Sequence, residues 1–455
     1  MNNIYKFFTV VIVVLQLTAC ENYLEQENPK DQINNDNVFT DDRLATSALV
    51  NVYSSMRNNG FFSGTVDGYG FLMSSLSDDL EVVNTLETDY RSFYQGSFTS
   101  STRAVSSLWS FSYKQIFIVN NVLEGLNSNN AAVSENISNQ LKGEALAVRG
   151  ILHFYLTQTY GAVPYVTGTD YNINKQIGKT NTAVAVQKAI DDLKAAEELL
   201  TEVYPNAEKT RINKYVVQAF LARMNLYQEN WAMAKRYAQM LIENPMYELD
   251  ALDKVFLKGS KSAIWQFKPV VEGANALEGG TYIFTTLPAP FAKISVELLN
   301  SFENGDLRRT SWIKEVQNDQ NTHAYKYKLP AASATSQEYS VVIRLEEMYL
   351  IAAEAYAELN DFENFNDRLN ILRRRAGLEE VNANSKSSAI ELIIKERRVE
   401  LFCEYGHRFL DLKRRNRLDM LAAVKPNWQP YFNLLPLPEN ELLLNPNLTP
   451  QNQGY

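Results

Sequence analysis

Apolar residues recur at helical spacing in several long blocks, and this periodicity constrains the fold more than any other feature of the sequence. In the clearest block the spacings alternate between four and three residues: Leu141, Ala145, Val148, Leu152 and Tyr155. Such spacing places all of these side chains on one face of an α-helix, which should end near Gly161, ahead of Pro164. Comparable blocks occupy 183–203, 212–226, 231–244, 345–359 and 389–404. The sequence therefore predicts a mostly α fold.

Two of these blocks share one helical-hairpin design. Segment 219–242 has small residues early, a turn at 228–230 and then Trp231, and segment 350–373 repeats the plan with a turn at 360–361 and Phe362. This design resembles the tetratricopeptide repeat, a helix-turn-helix unit. About 130 residues separate the two copies. We therefore predict a tetratricopeptide-like scaffold that is interrupted by loop-rich and short-strand insertions at about 58–105 and 255–340.

The N-terminus carries the pattern of an exported lipoprotein. The apolar run 7–17 is shorter than the roughly 20 residues that span a bilayer, and it is typical of the core of a signal peptide. The run ends in Leu17-Thr18-Ala19-Cys20, which resembles a lipobox. We predict a signal peptide at 1–19, a lipidated Cys20, a flexible tether at 20–40 and a single domain at 41–455. The alternative is an ordinary signal peptide with a chance cysteine.

Charge and motif content argue against several function classes. The formal net charge is −9, and removal of the signal peptide with its Lys6 would change it to −10. With no offsetting basic cluster, we expect no nucleic-acid partner. The three histidines, His153, His323 and His407, do not lie at metal-ligand spacing. We therefore predict no metal and no cofactor.

The sequence also lacks the usual marks of an enzyme. It contains no Gly-x-Ser-x-Gly elbow, phosphate loop or dinucleotide fingerprint. Glu346 and Glu347 are adjacent on a predicted helix and point about 100° apart, which disfavours a facing acid–base pair. Asp78 and Asp79 fall in an irregular region, where a glycosidase role or a bound calcium ion stays open. We predict no catalysis.

The two irregular regions are rich in aromatic residues, and we predict that they bind the ligand. A sugar site needs exposed aromatic faces with planar polar groups at their edges. Asp67, Asn84 and Arg91 are further candidates for the polar edge, and Trp312, beside Arg308 and Arg309, is the tryptophan predicted to lie on the surface. The alternative for each aromatic residue is burial in the core. The predicted ligand-binding residues are Tyr69, Phe71, Asp78, Tyr90, Phe93, Tyr282, Phe284 and Trp312.

One charged residue is predicted to be structural. Arg397 falls among the apolar residues of the stripe Ile390, Ile394 and Leu401. A buried guanidinium group must be paired, and Glu347 or Glu354 from the preceding hairpin is the expected partner. We therefore predict an ion pair between helices that fixes their register.

Several short motifs between residues 149 and 438, taken in chain order, resemble those of the SusD/RagB family. They comprise Arg149, His153 and Phe154 followed by YGAVP at 160–164, RLEEMYLIAAEA at 344–355, RRRAGL at 373–378, ERRVEL at 396–401, GHR at 406–408 and LPLP at 435–438. The resemblance runs from the lipobox to the final Tyr455. It implies a SusD-like, outward-facing outer-membrane lipoprotein that takes part in nutrient uptake and polysaccharide utilisation.

In such proteins the lipoprotein captures an oligosaccharide and delivers it to a SusC-like, TonB-dependent β-barrel transporter, its expected partner. Two alternatives stay open besides catalysis. The chain could be a peptide-binding member of the same family, because peptides also bind to Tyr and Phe side chains. It could also be a helical-repeat scaffold lipoprotein that binds no small ligand.

Overall fold

The computed structural model describes residues 38–455. The predicted signal peptide, Cys20 and the predicted tether up to residue 37 lie outside the described residues. The α-helices are α1 (Asp42–Asn58), α2 (Tyr69–Leu76), α3 (Asp89–Gln95), α4 (Arg103–Leu126), α5 (Glu135–Tyr160), α6 (Tyr171–Asn174), α7 (Thr182–Leu199), α8 (Lys214–Tyr227), α9 (Trp231–Ile242), α10 (Leu277–Tyr282), α11 (Val296–Leu299), α12 (Leu307–Trp312), α13 (Leu345–Glu358), α14 (Phe362–Arg375), α15 (Lys386–Leu401), α16 (His407–Arg414) and α17 (Glu439–Leu444).

Short strands occur between the helices and pair two by two. They are β1 (Leu80–Val82), β2 (Ala263–Phe267), β3 (Ala292–Ile294), β4 (Ile313–Val316), β5 (Asn318–Ala324) and β6 (Ser340–Arg344). The antiparallel pairs are β1 with β3, β2 with β6, and β4 with β5. Apart from β1, these strands lie in the predicted insertion at 255–340 or at its end. The predicted fold class, a mostly α scaffold with short-strand insertions, is confirmed.

The two predicted hairpins are α8 with α9 and α13 with α14. Ala219 and Ala222 in α8, and Ala353 and Ala355 in α13, are fully buried, which lets antiparallel helices approach closely. Helix α13 also packs against α9, so the two hairpins stack although 102 residues separate the end of α9 from the start of α13. The residues inserted between the hairpins therefore do not prevent α9 and α13 from packing together.

Helices α5 and α7 form the most extensive contact among the described elements. A Cβ atom on Gly150 of α5 would lie 2.8 Å from the carbonyl oxygen of Ala189 in α7. Only glycine therefore allows this approach of the two backbones. Helix α5 ends at Tyr160 and is followed by Gly161 with φ 77°, at the position that the sequence predicts.

The first predicted insertion, 58–105, is largely a layer of the core. Every residue of α2 is buried, and Phe61 and Phe62 lie with ring centroids 5.4 and 5.0 Å from Tyr155 of α5. Phe62 also contacts Tyr405, just before α16. This segment therefore joins the early helices to the late ones. Among the described residues, no helix is both long and apolar enough to cross a bilayer.

Arg397 lies in the core, as predicted, but its predicted partner is wrong. Its Nε donates to Asp411 Oδ2 of α16 at 2.7 Å. Glu347 is instead held by Arg223 of α8, and Glu354 is held by Arg414 and Arg415. Arg397 thus forms a buried ion pair between helices, but this pair joins α15 to α16 and does not involve Glu347 or Glu354.

Candidate functional site

The predicted ligand-binding aromatic residues lie mostly in the core. The side chains of Tyr69, Phe71, Tyr90, Phe93, Phe284 and Trp312 are all at most 5% exposed. Phe71 contacts the rings of Tyr90 and Tyr282, each at a centroid distance of 5.6 Å, and Phe93 stacks on Phe98 at 4.8 Å. These rings pack against other rings inside the protein, and this burial argues against the predicted role in ligand contact. Tyr282 is half-buried.

The prediction that Trp312 lies on the surface is wrong. The residue is fully buried, and its Nε1 donates to the carbonyl oxygen of Leu252 at 2.8 Å. The prediction assumed that the neighbouring Arg308 lies in solvent. Arg308 is instead fully buried and contacts Glu396 and Glu400 at 2.6 and 3.0 Å. An arginine that is paired in the core has the same sequence signature as one in solvent.

Asp78 is part of a buried charge cluster. Arg408 holds its two carboxylate oxygens at 2.7 and 2.9 Å, and Arg398 lies 2.9 Å away. Burial acts to raise the pKa of Asp78, but the hydrogen bonds and charges of the two arginines outweigh it, so the pKa lies below its usual value. Burial raises the pKa of Asp79 to about 6, and the charge of Asp78 adds to that rise. In residues 38–455 no three metal-ligating side chains are grouped around this pair or elsewhere.

The first insertion does form an open polar cleft, which we name the loop-58 cleft. It has a volume of about 200 Å³ and lies between the segment 58–67 and the first turns of α4. Its lining comprises Asn58, Asn59, Gly60, Ser63, Thr65, Asp67, Arg103, Ser107, Leu108 and Phe111. Of these, Asp67 is a residue that the sequence suggested for a polar edge.

The shape of the segment 58–67 follows from its anchors. Phe61 and Phe62 are buried together with Gly60, Ser63 and Gly64, and the chain becomes partly exposed again at 65–67. A Cβ atom on Gly68 would lie 1.9 Å from the carbonyl oxygen of Ser63, so only glycine permits the tight turn. The Ser63 hydroxyl lies 2.9 Å from that of Thr65. This turn places Asp67 at the mouth of the cleft.

The charged groups of the loop-58 cleft are exposed and paired. Arg103 Nη2 contacts Asp67 at 3.0 Å and Asp89 at 2.9 Å, and the side chains of Arg103 and Asp67 are 65% and 45% exposed. The hydrogen bond to Asp67 raises the pKa of Arg103. Partial burial raises the pKa of Asp89, against the lowering effect of the Arg103 charge. A sugar hydroxyl can accept a hydrogen bond from the guanidinium group and donate one to the carboxylate, so the pair can bind hydroxyl groups in both roles.

Phe111 supplies an aromatic wall to the cleft. It lies in α4 two turns after Arg103, and its side chain is only partly buried. The ring thus stands beside the Asp67–Arg103 pair, which is the combination of apolar face and polar edge that a sugar ring requires. Sequence analysis missed Arg103 and Phe111. The signal that could have found them is their spacing of eight residues on one helix that begins where the first insertion ends.

A second crevice adjoins this cleft at Ser63 but is too small for a sugar. It is lined by Gly64, Glu278, Tyr282 and Tyr405 among others, and its volume of about 20 Å³ holds one water molecule. Burial raises the pKa of Glu278, whose carboxylate accepts from Ser340 Oγ at 2.7 Å. A sugar ring cannot reach this carboxylate in the present conformation, so the crevice offers no glycosidase cleft.

Comparison with known proteins matches the chain over most of its length. Residues 22–226 match a SusD-like family model described as starch-binding and associating with the outer membrane, and residues 301–455 match the SusD family model. SusD-like protein P25 of Formosa agariphila is 22% identical over 99% of both chains.

The structure is similar to solved structures along almost the whole chain. A SusD superfamily protein from Bacteroides vulgatus superposes with a TM-score of 0.80 at 20% identity, covering 92% of this chain and 100% of that one. A laminarin-binding SusD-like protein superposes with a TM-score of 0.74 at 23% identity, covering 90% of this chain and 99% of its own. At these identities the likeness establishes the shared fold.

Proposed function

Because the chain belongs to the SusD/RagB family, whose members associate with the outer membrane, we propose that it is a surface lipoprotein that binds an oligosaccharide and delivers it to a SusC-like, TonB-dependent transporter without catalysis. The lipid is attached at Cys20, after removal of residues 1–19. Residues 20–40 form the tether, and residues 41–455 fold as one domain. The protein faces the cell exterior.

The composition of the loop-58 cleft is the observation that most directly supports a role in binding. The partly buried ring of Phe111 lies beside an exposed ion pair, Asp67 with Arg103. Exposed ion pairs contribute little to stability, so this pair can be diverted to a ligand at small cost to the fold. Arginine and carboxylate groups hydrogen-bond sugar hydroxyls, and the ring packs against the apolar C–H face of the sugar. The similar structure of a laminarin-binding protein supports the same ligand class.

The binding test uses a glycan array followed by calorimetry and chromatography of the same mixtures. We expect saturable binding of at least one oligosaccharide by the purified wild-type protein and an unchanged glycan after prolonged incubation. Phe111→Ala and Arg103→Ala should each weaken binding about tenfold, the loss of roughly 1.4 kcal/mol. Arg236→Ala in α9, which removes an exposed arginine away from the cleft, is the matched control.

Four results would contradict the proposal in different ways. Cleaved products from clean protein would show an enzyme. Binding of peptides without binding of any glycan would replace the ligand class, and binding of neither would favour the scaffold alternative. Equal affinity of the wild type and both cleft variants would show that the ligand binds elsewhere.

The anchor and the partner need separate measurements. Metabolic labelling with palmitate should mark the wild type but not Cys20→Ala. In an outer-membrane preparation, the tagged wild-type protein should co-purify with a β-barrel transporter. Labelling of Cys20→Ala at the wild-type level, or a tagged protein that purifies alone under mild detergent, would overturn these parts of the proposal.

A further inference from the structure

A second and larger groove is lined by other residues of α4, and we name it the C-terminal groove. Its volume is about 480 Å³. One wall is the middle of α4, another is the segment 164–175 with α6, and the third is the segment 441–448 near the end of the chain. None of the residues predicted from sequence to bind ligand lines it.

Aromatic rings form the floor and two walls of this groove. Trp109 and Tyr113 lie at the floor with ring centroids 4.9 Å apart. Phe117 on α4 and Tyr171 on α6 are 47% and 74% exposed. Single exposed aromatic residues are ordinary, but several that line one concave surface mark a binding site. Within the described residues, these two are the only phenylalanine or tyrosine side chains among the exposed large hydrophobic ones.

A carboxylate lies among these rings. Glu441 lines the groove, and partial burial raises its pKa while a hydrogen bond from the indole of Trp109 acts in the opposite direction. A carboxylate is costly beside apolar surface unless it is hydrogen-bonded. An apolar partner surface laid into the groove would desolvate Glu441 further, whereas a ligand rich in hydroxyl groups would donate to it.

The walls are held in place by hydrogen bonds from side chains to distant backbone atoms. Asn445 Nδ2 donates to Ile177 O at 2.9 Å, and Asn447 Nδ2 donates to Gln176 O at 2.8 Å. Tyr113 donates to Pro164 O at 2.8 Å. The three walls are thus fixed to one another before any ligand binds. A preformed site avoids the free-energy cost of ordering its walls on binding.

We propose that the C-terminal groove is a second carbohydrate site, which binds a short stretch of an oligosaccharide with Tyr171 and Phe117 against the sugar faces and Glu441 at the hydroxyl edge. The volume falls in the range of about 300 to 1,000 Å³ typical of small-ligand sites. A stable protein partner would need roughly 800 Å² on each side, much more than this groove presents. This inference rests on the proposed function and adds a second contact for the same ligand class.

The test combines calorimetry with photo-cross-linking. The probes are maltotriose, laminaritriose, cellotriose and xylotriose, together with any glycan that the array identifies, each also prepared with a diazirine tag. We expect two binding sites per wild-type chain for a glycan that binds. Tyr171→Ala and Phe117→Ala should lower the number to one or weaken the second site about tenfold, and cross-links should map to 113–117, 164–175 and 441–448, none of which line the loop-58 cleft.

The controls separate the groove from the loop-58 cleft. Arg103→Ala should weaken binding at the loop-58 cleft about tenfold and leave the groove cross-links unchanged. Met240→Ala, which truncates an exposed apolar side chain on α9, should leave both sites intact. Tyr171 and Phe117 are exposed enough that loss of folding is not expected, and the thermal midpoint of each variant checks this point.

The possible outcomes show which of the two proposals fails. If the wild type binds a glycan but gives no cross-link in the groove, or if the groove variants bind as the wild type does, the groove proposal is overturned and the proposed function stands. If the wild type binds no glycan at all, the proposed function is overturned and the groove proposal with it. A wild-type dimer that Tyr171→Ala dissociates would make a second copy the occupant and overturn the carbohydrate assignment.

Discussion

At the scale of single residues, the late helices are organised by buried arginines whose partners come from distant helices. Glu400 of α15 contacts Arg344 and Arg375, each at 2.7 Å, and Arg308 at 3.0 Å. Arg397 has Asp411 as its partner, while its Nη1 and Nη2 atoms lack a hydrogen-bond partner. A buried charge is tolerated only when it is paired, so each of these contacts specifies which helices pack together.

The Arg397–Asp411 pair gives a prediction for stability. We expect Arg397→Met to lower the free energy of unfolding by about 3 kcal/mol, the lower end for breaking a buried ion pair, because Asp411 keeps Arg414 at 2.8 Å. Urea denaturation at neutral pH measures the change. Arg236→Met on the exposed side of α9 should have almost no effect, and an unchanged midpoint for Arg397→Met would show that the pair does not stabilise the fold.

At the scale of helices, one ion pair joins the two hairpins. Arg223 of α8 binds the carboxylate of Glu347 of α13 at 2.7 and 2.6 Å, and its Nη1 donates to the hydroxyl of Tyr155 in α5 at 2.8 Å. Three helices that lie far apart in sequence therefore meet at one guanidinium group. The stacking of the hairpins depends on this contact as well as on their small residues.

This contact predicts a loss of stability in acid. Burial acts to raise the pKa of Glu347, but the charge of Arg223 outweighs it, and the pKa falls from 4.5 to about 2. As the pH falls, Glu347 is therefore protonated in the unfolded chain before it is protonated in the folded protein. The stabilisation is complete above pH 4.5 and is lost as the pH falls towards 2. The full contribution is about 3 kcal/mol, from roughly 1.4 kcal/mol per pKa unit.

Urea unfolding at pH 7, 4 and 3 checks the pH prediction. Glu347→Gln should be less stable than the wild type at pH 7, and the difference should shrink as the pH falls from 4.5. Glu198→Gln on the exposed surface of α7 is the control. A difference between Glu347→Gln and the wild type that stays constant from pH 7 to 3 would contradict the assigned protonation.

The close packing of α5 on α7 gives another prediction at this scale. Gly150→Ala would place a methyl group 2.8 Å from a backbone oxygen of α7. Overpacking costs about 1 to 3 kcal/mol, and the better helix propensity of alanine returns about 1 kcal/mol. We expect a net loss of about 1 to 2 kcal/mol by urea denaturation. Gly259→Ala, where the added atom meets nothing within 4 Å, is the control, and equal stability of the two variants would contradict the packing argument.

At the scale of the whole molecule, the first insertion has a structural role. Phe61, Phe62, Tyr69, Phe71 and Phe93 all belong to the hydrophobic core. The segment that carries the loop-58 cleft therefore also holds the early helices against the late ones. A ligand site built on such a buried base is rigid, because its anchors cannot move without disturbing the core.

A deletion tests this double role. We expect removal of residues 60–95 to abolish cooperative folding, since it takes away at least these five buried aromatic side chains, whose loss costs about 3 to 5 kcal/mol each. Circular dichroism and thermal denaturation measure the outcome. Phe111→Ala, which leaves the segment intact, should fold normally. A deleted chain that still unfolds cooperatively at the wild-type temperature would show that the segment is a dispensable loop.

The helices of the long periodic blocks, their pairing into hairpins and the family could be predicted from the amino-acid sequence alone. Those features depend on short-range periodicity, on small residues at fixed spacing and on motifs in a fixed order, and all of these can be seen along the chain. The sequence also indicated that the guanidinium of Arg397 is buried and paired, because the stripe around that residue is apolar.

Which aromatic rings are buried and which face solvent could be known only once the folded structure was in hand. Trp312 follows two arginines yet lies in the core, and Phe117 has Ile116 and Ile118 as neighbours yet lines a groove. Exposure depends on which distant segments pack against each position. For the same reason Asp411, and not Glu347 or Glu354, pairs with Arg397. Exposure and ion-pair partners are set by long-range contacts, and a single sequence does not contain those contacts in readable form.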